Sequence, residues 1–340
     1  MEPLSIVVIG ASAGGVTALK QLVSRFPADL PAAVCIVLHM APNHPTQLHT
    51  ILDAVGPLAV IQAANEQEIE AGRIYIARPN HHLLVKEDRL AVVFGPRENR
   101  ARPSIDVLMR SAAVYYTTRV IGVLLTGYLT DGVSGISAVK RCGGATLVQD
   151  PAECPAPYLP RAAIAQAEID HVLPLDGLAL KIDEIARRPT SPRSQAVPEE
   201  IMEEVNVSEH EVPDIAHMRT IGDLTPYTCP ECGGTLWKAK HEPLKRYICH
   251  TGHSFSEEAY LEGQADMIEN SLWSTMRYVQ ERIDVLQKMI PEQKSKGNGV
   301  FAEELARKVA EMQHHVRVIR RFIMSGTLTG MQNNAAAAGR

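Results

Sequence analysis

Two groups of residues in this 340-residue chain have types and spacings that can do chemistry. The first begins with Gly10-Ala11-Ser12-Ala13-Gly14, which follows a short apolar run and precedes a helical pattern. A G-x-S-x-G turn between strand and helix exposes a serine hydroxyl above a helix N-terminus, where developing negative charge is favoured. A serine attacks only when a base takes its proton. His39 ends the next apolar run, and Asp131 lies in the loop after the apolar run 120–125. All three fall at the carboxyl ends of predicted strands, the edge at which open α/β sheets hold ligands. In such a triad Asp131 fixes the His39 tautomer and stabilises the imidazolium. Each residue also has a structural reading: Ser12 as a helix cap, His39 as a strand-end histidine, Asp131 as a turn or N-cap. A dinucleotide fingerprint is the rival for the same loop. Ser12 stands where its second glycine is needed, and His39 where an acid should meet ribose, so both positions count against it.

The second group is Cys229-Pro-Glu-Cys232 followed, after sixteen intervening residues, by Cys249-His-Thr-Gly-His253. A C-x2-C knuckle presents two thiolates to one ion. Cys249 and His253 add a third thiolate and an imidazole, the closed tetrahedral set of a structural Zn2+ site. His250 is the alternative fourth ligand, but its place directly beside Cys249 makes a tetrahedron harder to close. A redox cysteine pair or unpaired structural thiols form the competing reading. Cys35, Cys142 and Cys154 lie apart and read as small buried residues. Six cysteines in a chain of this length do not suggest a disulfide scaffold.

The elements that must position these residues divide the chain. Residues 4–187 alternate strand-like and helical patterns. Strands are expected at 5–9, 33–38, 58–61, 73–76, 82–85, 90–94, 120–125 and 145–148. Helices are expected at 16–26, 44–55, 104–113 with Ser104 as N-cap, 131–141 and 179–187. The expected fold is α/β, a doubly wound, mostly parallel sheet with helices on both faces. Residues 188–226, with Pro189, Pro192, Pro198 and Pro213 among acids and serines, read as an acidic, weakly structured linker. Residues 227–256 read as a zinc-ribbon-like module. Residues 257–326 read as an αα-hairpin, broken at Pro291 and Gly297-Asn298-Gly299, and 327–340 as a flexible tail. The hairpin's seams (Leu261, Ile268, Leu272, Ile283; Phe301, Leu305, Val309, Val316) suit either simple packing of the two helices on each other or a homodimer or docking surface, since two helices alone bury a thin core.

Residues 4–187 resemble the catalytic domain of the CheB family, the chemotaxis protein-glutamate methylesterases. The matching stretches are Ile9-Gly-Ala-Ser-Ala-Gly-Gly15, Val37-Leu-His-Met40, Ala77-Arg-Pro-Asn-His-His-Leu83, Arg102-Pro-Ser-Ile-Asp-Val-Leu108 and Leu125-Thr-Gly-Tyr-Leu-Thr-Asp-Gly132. The resemblance implies a triad of Ser12, His39 and Asp131. It also implies hydrolysis of γ-glutamyl methyl esters on a receptor's helical cytoplasmic region, deamidation of glutamine in some members, and no cofactor for catalysis. Ala13 and Tyr128 become the oxyanion and loop candidates. Four residues depart from the family pattern. Ala13 replaces the usual Thr, Tyr128 a Met, Leu129 a Gly, and Ala101 lies near the place of a His. Backbone donors survive side-chain changes, but Leu129 restricts φ in its loop. These departures set up an expectation of altered activity, and they motivate the alternative of a CheB-like signalling or binding module without the chemistry. The family's best-known architecture places a receiver domain first. With the similar region starting at residue 4, no receiver and no phosphorylation switch in cis are expected.

Composition narrows the partners. A formal net charge of −5 and only modest basic content near the cysteines (Lys238, Lys240, Lys245, Arg246) disfavour nucleic acid. The N-terminus lacks a basic region before its apolar run, and no apolar stretch reaches about 18 residues. The expectation is a cytoplasmic protein without membrane insertion, meeting a methylated receptor or another signalling protein.

Overall fold

The computed structural model describes residues 4–40, 46–189, 196–209, 214–240 and 244–326. The first apolar runs become β1 (Ser5–Ala11) and β2 (Ala32–Leu38), each buried along its whole length. A strand covered by helices on both faces has no polar side, so its sequence does not alternate. The two pair in parallel, from Ser5 opposite Ala32 to Ala11 opposite Leu38. Helix α1 (Gly15–Val23) joins them. After α2 (Leu48–Asp53) come β3 (Ala59–Gln62), the short β4 (Gln67–Glu68) and β5 (Arg73–Ile76). The hairpin β6 (His82–Val85) and β7 (Arg89–Val93) forms a small antiparallel sheet with β4. The chain then continues through α3 (Ile105–Tyr116), β8 (Val120–Leu124), α4 (Val133–Arg141), β9 (Ala145–Gln149), α5 (Tyr158–Gln166), β10 (His171–Leu173) and α6 (Leu175–Ala186).

Seven strands form the main sheet in the order β10-β9-β8-β1-β2-β5-β3, every pair parallel. Leu19, Leu22, Leu178 and Ile182 of α1 and α6 cover one face. Leu108, Met109, Ile136 and Val139 of α3 and α4 cover the other. The chain leaves β1 toward β2 on one side and later adds β8 on the other. The β1/β8 boundary is therefore the topological switch point, where diverging loops open a crevice. The expected α/β class holds. Helix α5 and strand β10 escaped sequence reading: α5 carries Pro160 in its first turn, where proline is tolerated, and β10 has only three residues.

The linker expected at 188–226 contains two helices, α7 (Glu199–Ser208) and α8 (Ile215–Ile221). The glutamates of α7 give the segment a solvated composition. Yet Ile201 and Val205, four residues apart on one face, are buried in the same apolar cluster as α3 and α4. The Cys/His region forms an antiparallel sheet of β11 (Gly222–Thr228), β12 (Thr235–Ala239), β13 (Arg246–Cys249) and β14 (Ser254–Ser256). It belongs to the same compact unit as the parallel sheet, Met1–Ala259, so the chain does not divide at the expected boundaries near 187 and 227.

The second unit begins at Tyr260. It contains most of α9 (Glu257–Ser295) and all of α10 (Gly299–Met324). Helix α9 passes through Pro291, where the sequence pattern suggested a break. Proline's φ is helical and removes one donor, so the helix completes a last turn before Gly297 (φ 81°) ends it. Ile283, Leu305 and Val309 are buried as the seams required, whereas Leu261, Ile268 and Phe301 are exposed. The tail expected from 327 lies outside the described residues. Among the described residues no helix is long and apolar enough to cross a membrane.

Candidate active site and candidate metal centre

Ser12 sits on the turn between β1 and α1. Its N–H donates to the Thr126 carbonyl at 3.0 Å, tying the turn across the switch point to the end of β8, and its carbonyl accepts the Gly15 N–H at 2.8 Å. Gly14 has φ 78°, and a Cβ there would lie 3.1–3.2 Å from Pro155 and Thr126. Only glycine turns the chain this sharply here. Gly14, not Ser12, is the N-cap of α1, so the helix-cap reading of Ser12 does not hold.

The His39 N–H donates to the Ala11 carbonyl at 3.1 Å, which keeps His39 level with Ser12 on the adjacent strand. Its ring Nε2 lies 2.7 Å from Asp131 Oδ2, leaving Nδ1 as the nitrogen able to take a proton. Ser12 and His39 line one cavity of about 390 Å³, together with Gly14, Leu38, Met40 and Gln47. Among the described residues no hydrogen bond joins the Ser12 hydroxyl to His39. Catalytic hydrogen bonds of this kind commonly tighten only around substrate.

Asp131 is buried and gathers donors. Ser104 Oγ donates to its Oδ1 and the Ile105 N–H to its Oδ2, both at 2.7 Å; the Asn99 amide donates to Oδ1 at 3.1 Å. Burial raises its pKa, but the hydrogen bond and charge of His39, with the Ile105 and Ser104 donors, outweigh this and hold the carboxyl well below its usual range. Asp131 thus caps α3 from outside that helix. The expected N-cap, Ser104, makes no side-chain cap and bonds Asp131 instead. Asp106 returns the arrangement: its Oδ1 accepts the N–H groups of Gly132 (2.9 Å) and Gly135 (2.6 Å) at the start of α4. Burial, with the adjacent Asp131 charge, pushes Asp106 well above the carboxylate range.

The amides of Ala13 and Tyr128 have no protein acceptor among the described residues, as oxyanion donors require. Leu129 follows with φ 62°. A second cavity of about 220 Å³ opens on the other side of His39, lined by Met40, Asn80, Arg97, Arg100, Arg102 and Pro103. Arg102 is held over the Phe94 ring at 3.6 Å and donates to Asn80 and to the Gly95 carbonyl.

The second group also converges. The ligand atoms of Cys229, Cys232, Cys249 and His253 all lie within 4.8 Å of one another. With Zn–S about 2.3 Å and Zn–N about 2.0–2.1 Å, a tetrahedron has S···S edges of about 3.8 Å and S···N edges of about 3.6 Å. Cys232 Sγ to Cys249 Sγ is 3.8 Å, and Cys249 Sγ to His253 Nδ1 is 3.6 Å. The residues present therefore fit the ion, and His253 rather than His250 completes the set. Each knuckle closes on itself, Gly233 N–H to Cys229 carbonyl and Gly252 N–H to Cys249 carbonyl, both 2.9 Å. Gly252 has φ 94°, and a Cβ there would lie 2.8 Å from Pro96, so only glycine lets the second knuckle seat against the 95–104 loop.

Several buried residues beside these sites were not singled out from sequence. Arg110 of α3 donates to Glu98 and lies 3.4 Å from Glu204 of α7. Arg246 of β13 donates to the same Glu204 oxygen at 2.5 Å and to Ser254 Oγ at 2.9 Å. Two arginines and two glutamates thus join α3, the 95–104 loop, α7 and the Cys/His sheet. His82 is also buried: Nδ1 accepts the Ser104 N–H, and Nε2 lies 2.7 Å from the Pro96 carbonyl. An apolar neighbourhood around an isolated charge was the only available signal, and Arg110 within Leu108-Met109-Arg110-Ser111-Ala112 carries it.

The family profile described as CheB methylesterase matches residues 7–182. A Methanosarcina mazei protein named protein-glutamate methylesterase/protein-glutamine glutaminase 2 is 38% identical over 191 residues, 54% of this chain and 52% of its own. A Leptospira interrogans relative is 37% identical over 174 residues, 51% of this chain and 90% of its own. The matched region thus spans about half of the first relative and nearly all of the second. The crystal structure of the Thermotoga maritima CheB methylesterase catalytic domain superposes with a TM-score of 0.52 at 32% identity, covering 54% of this chain and 98% of that domain.

Proposed function

The chain belongs to the CheB methylesterase family, and from that membership we propose that Ser12, His39 and Asp131 hydrolyse glutamyl methyl esters on a methylated receptor or similar signalling protein. The observation that carries this reading is the 2.7 Å contact of His39 with the buried Asp131, where His39 shares one cavity with Ser12. Ser12 Oγ attacks the ester carbonyl carbon, and its proton passes to His39 Nδ1. Asp131, kept ionised, stabilises the imidazolium. The oxyanion lies against the Ala13 and Tyr128 amides, whose backbone donors do not depend on the departures at those side chains. Collapse expels methanol, which takes the proton back from His39. Water then cleaves the acyl-enzyme by the same route, leaving a glutamate carboxylate and restoring Ser12. With glutamine as substrate the leaving group is ammonia. The Arg97, Arg100 and Arg102 rim beside His39 suits an acidic helical segment around the ester.

Methanol release from methylated receptor, together with fluorophosphonate labelling of Ser12, tests the reading. Both are expected in the wild-type chain and absent in Ser12→Ala. Asp131→Asn is expected to lower kcat by roughly 10³–10⁴, because the wrong tautomer of His39 is then favoured. Absence of both methanol release and labelling would leave the alternative, a CheB-like signalling module without the chemistry.

The four clustered ligands hold a structural Zn2+ in this proposal, in a reducing cytoplasmic setting where thiolates persist. The ion supplies folding free energy to a sheet whose own apolar core is small: Val207, Met218, Ile221, Trp237 and Ile248. Metal analysis is expected to find about one equivalent of zinc. Less than half an equivalent, with the Trp237 fluorescence unchanged by chelator, would remove the metal.

A further inference from the structure

Asn99 stands between the candidate triad and the Cys/His sheet. It is buried, and its side chain is shared between the two. The amide nitrogen donates to Asp131 Oδ1 at 3.1 Å and to Asp106 Oδ2 at 2.9 Å. The amide oxygen accepts the Ser256 N–H at 2.8 Å, and the Asn99 N–H donates to the Ser254 carbonyl at 2.7 Å. Ser254 and Ser256 are the two ends of β14, the strand that leaves the second metal knuckle. The backbone of Asn99 is left-handed, φ 49°, a conformation asparagine tolerates better than most residues.

We infer that Asn99 is a positioning residue for Asp131 and that the metal-folded Cys/His sheet sets its orientation, so that loading of the metal centre raises esterase activity. The inference rests on the reading of Ser12, His39 and Asp131 as a hydrolytic triad. Asp106 and Asp131 lie buried side by side, an arrangement that costs free energy unless donors sit between them. One NH2 group supplies both donors. An amide can present either end, and the other end would put an oxygen against two carboxyl groups. The Ser256 N–H selects the productive orientation, because it needs the amide oxygen. β14 is placed in turn by the knuckle that runs from Cys249 through Gly252, seated on Pro96, to His253. When the knuckle loosens, the amide loses its reference. Asp131 then loses a donor, and His39 is held less firmly beside Ser12.

The test measures the rate of fluorophosphonate labelling of Ser12 in the full chain, before and after chelation. It compares wild type, Asn99→Gly and Asn99→Asp. Asn99→Gly keeps the left-handed backbone and removes only the amide. Asn99→Asp keeps an acceptor for Ser256 but turns an oxygen toward Asp106 and Asp131. Both variants are expected to label about tenfold more slowly, the effect of about 1.4 kcal/mol, while melting cooperatively. The low-field proton resonance of the His39–Asp131 hydrogen bond should shift in both. Chelation should slow the wild type by a similar factor and add little in Asn99→Gly, since the two changes break one link. Labelling of folded Asn99→Gly at the wild-type rate would overturn the inference, as would equal slowing of wild type and variant by chelator. Should Asn99→Gly not fold, Asn99→Asp carries the same comparison. A wild-type chain that is not labelled at all overturns the triad reading instead, and this inference with it.

Discussion

Leu129 holds a left-handed backbone in the loop that carries the oxyanion candidate Tyr128 and the triad candidate Asp131. For a residue with a Cβ this conformation costs roughly 1–2 kcal/mol. Leu129→Gly is therefore expected to stabilise the protein by about 1 kcal/mol, read as a higher melting temperature, since glycine's extra freedom in the unfolded chain offsets part of the relief. An unchanged or lower melting temperature would mean that the half-exposed leucine side chain compensates the strain by packing. At this scale the sequence was informative in one direction. The triad candidates Ser12, His39 and Asp131 could be found because Ser12 and His39 directly follow strands and Asp131 lies in the loop after a third, and strands are legible from apolar runs. Ser104 and Asn99 could not. Ser104 read as an ordinary cap because its partner, Asp131, is distant in sequence, and nothing local marks a hydroxyl that donates to a carboxylate across the fold.

Among the elements, α7 shows where sequence patterns mislead. Its four glutamates and flanking prolines make it look solvated, yet Glu204 is buried between Arg110 and Arg246. Removing one partner of a buried charge group leaves the others uncompensated, typically at 3–5 kcal/mol. Glu204→Gln is expected to lose roughly that much in urea unfolding, whereas Glu203→Gln, one position away and only half-buried, should stay within about 0.5 kcal/mol. Equal small effects would show that the buried group is replaceable by neutral hydrogen bonding. The parallel sheet, by contrast, was readable nearly strand by strand, because β1, β2 and β8 are apolar throughout. α5 and β10 were lost to an early proline and to shortness. The two Cys/His knuckles were legible because C-x2-C and C-x3-H spacings are local, while the attachment of their sheet to α3 depends on single charged residues far apart in the chain.

At the scale of the whole molecule, the span shared with the CheB family ends at residue 182, but the compact unit runs to Ala259. The buried Arg110–Glu98–Glu204–Arg246 group explains the difference. Two of its members lie inside the family span and two beyond it, so neither part can shed the other without stranding charge. What is inherited and what folds are thus different lengths of chain. Recombination that exchanged only the family span between relatives would set Arg110 and Glu98 against foreign partners. A successful graft must carry α7 and the Cys/His sheet along, and so brings the candidate metal centre with it as part of the same heritable piece.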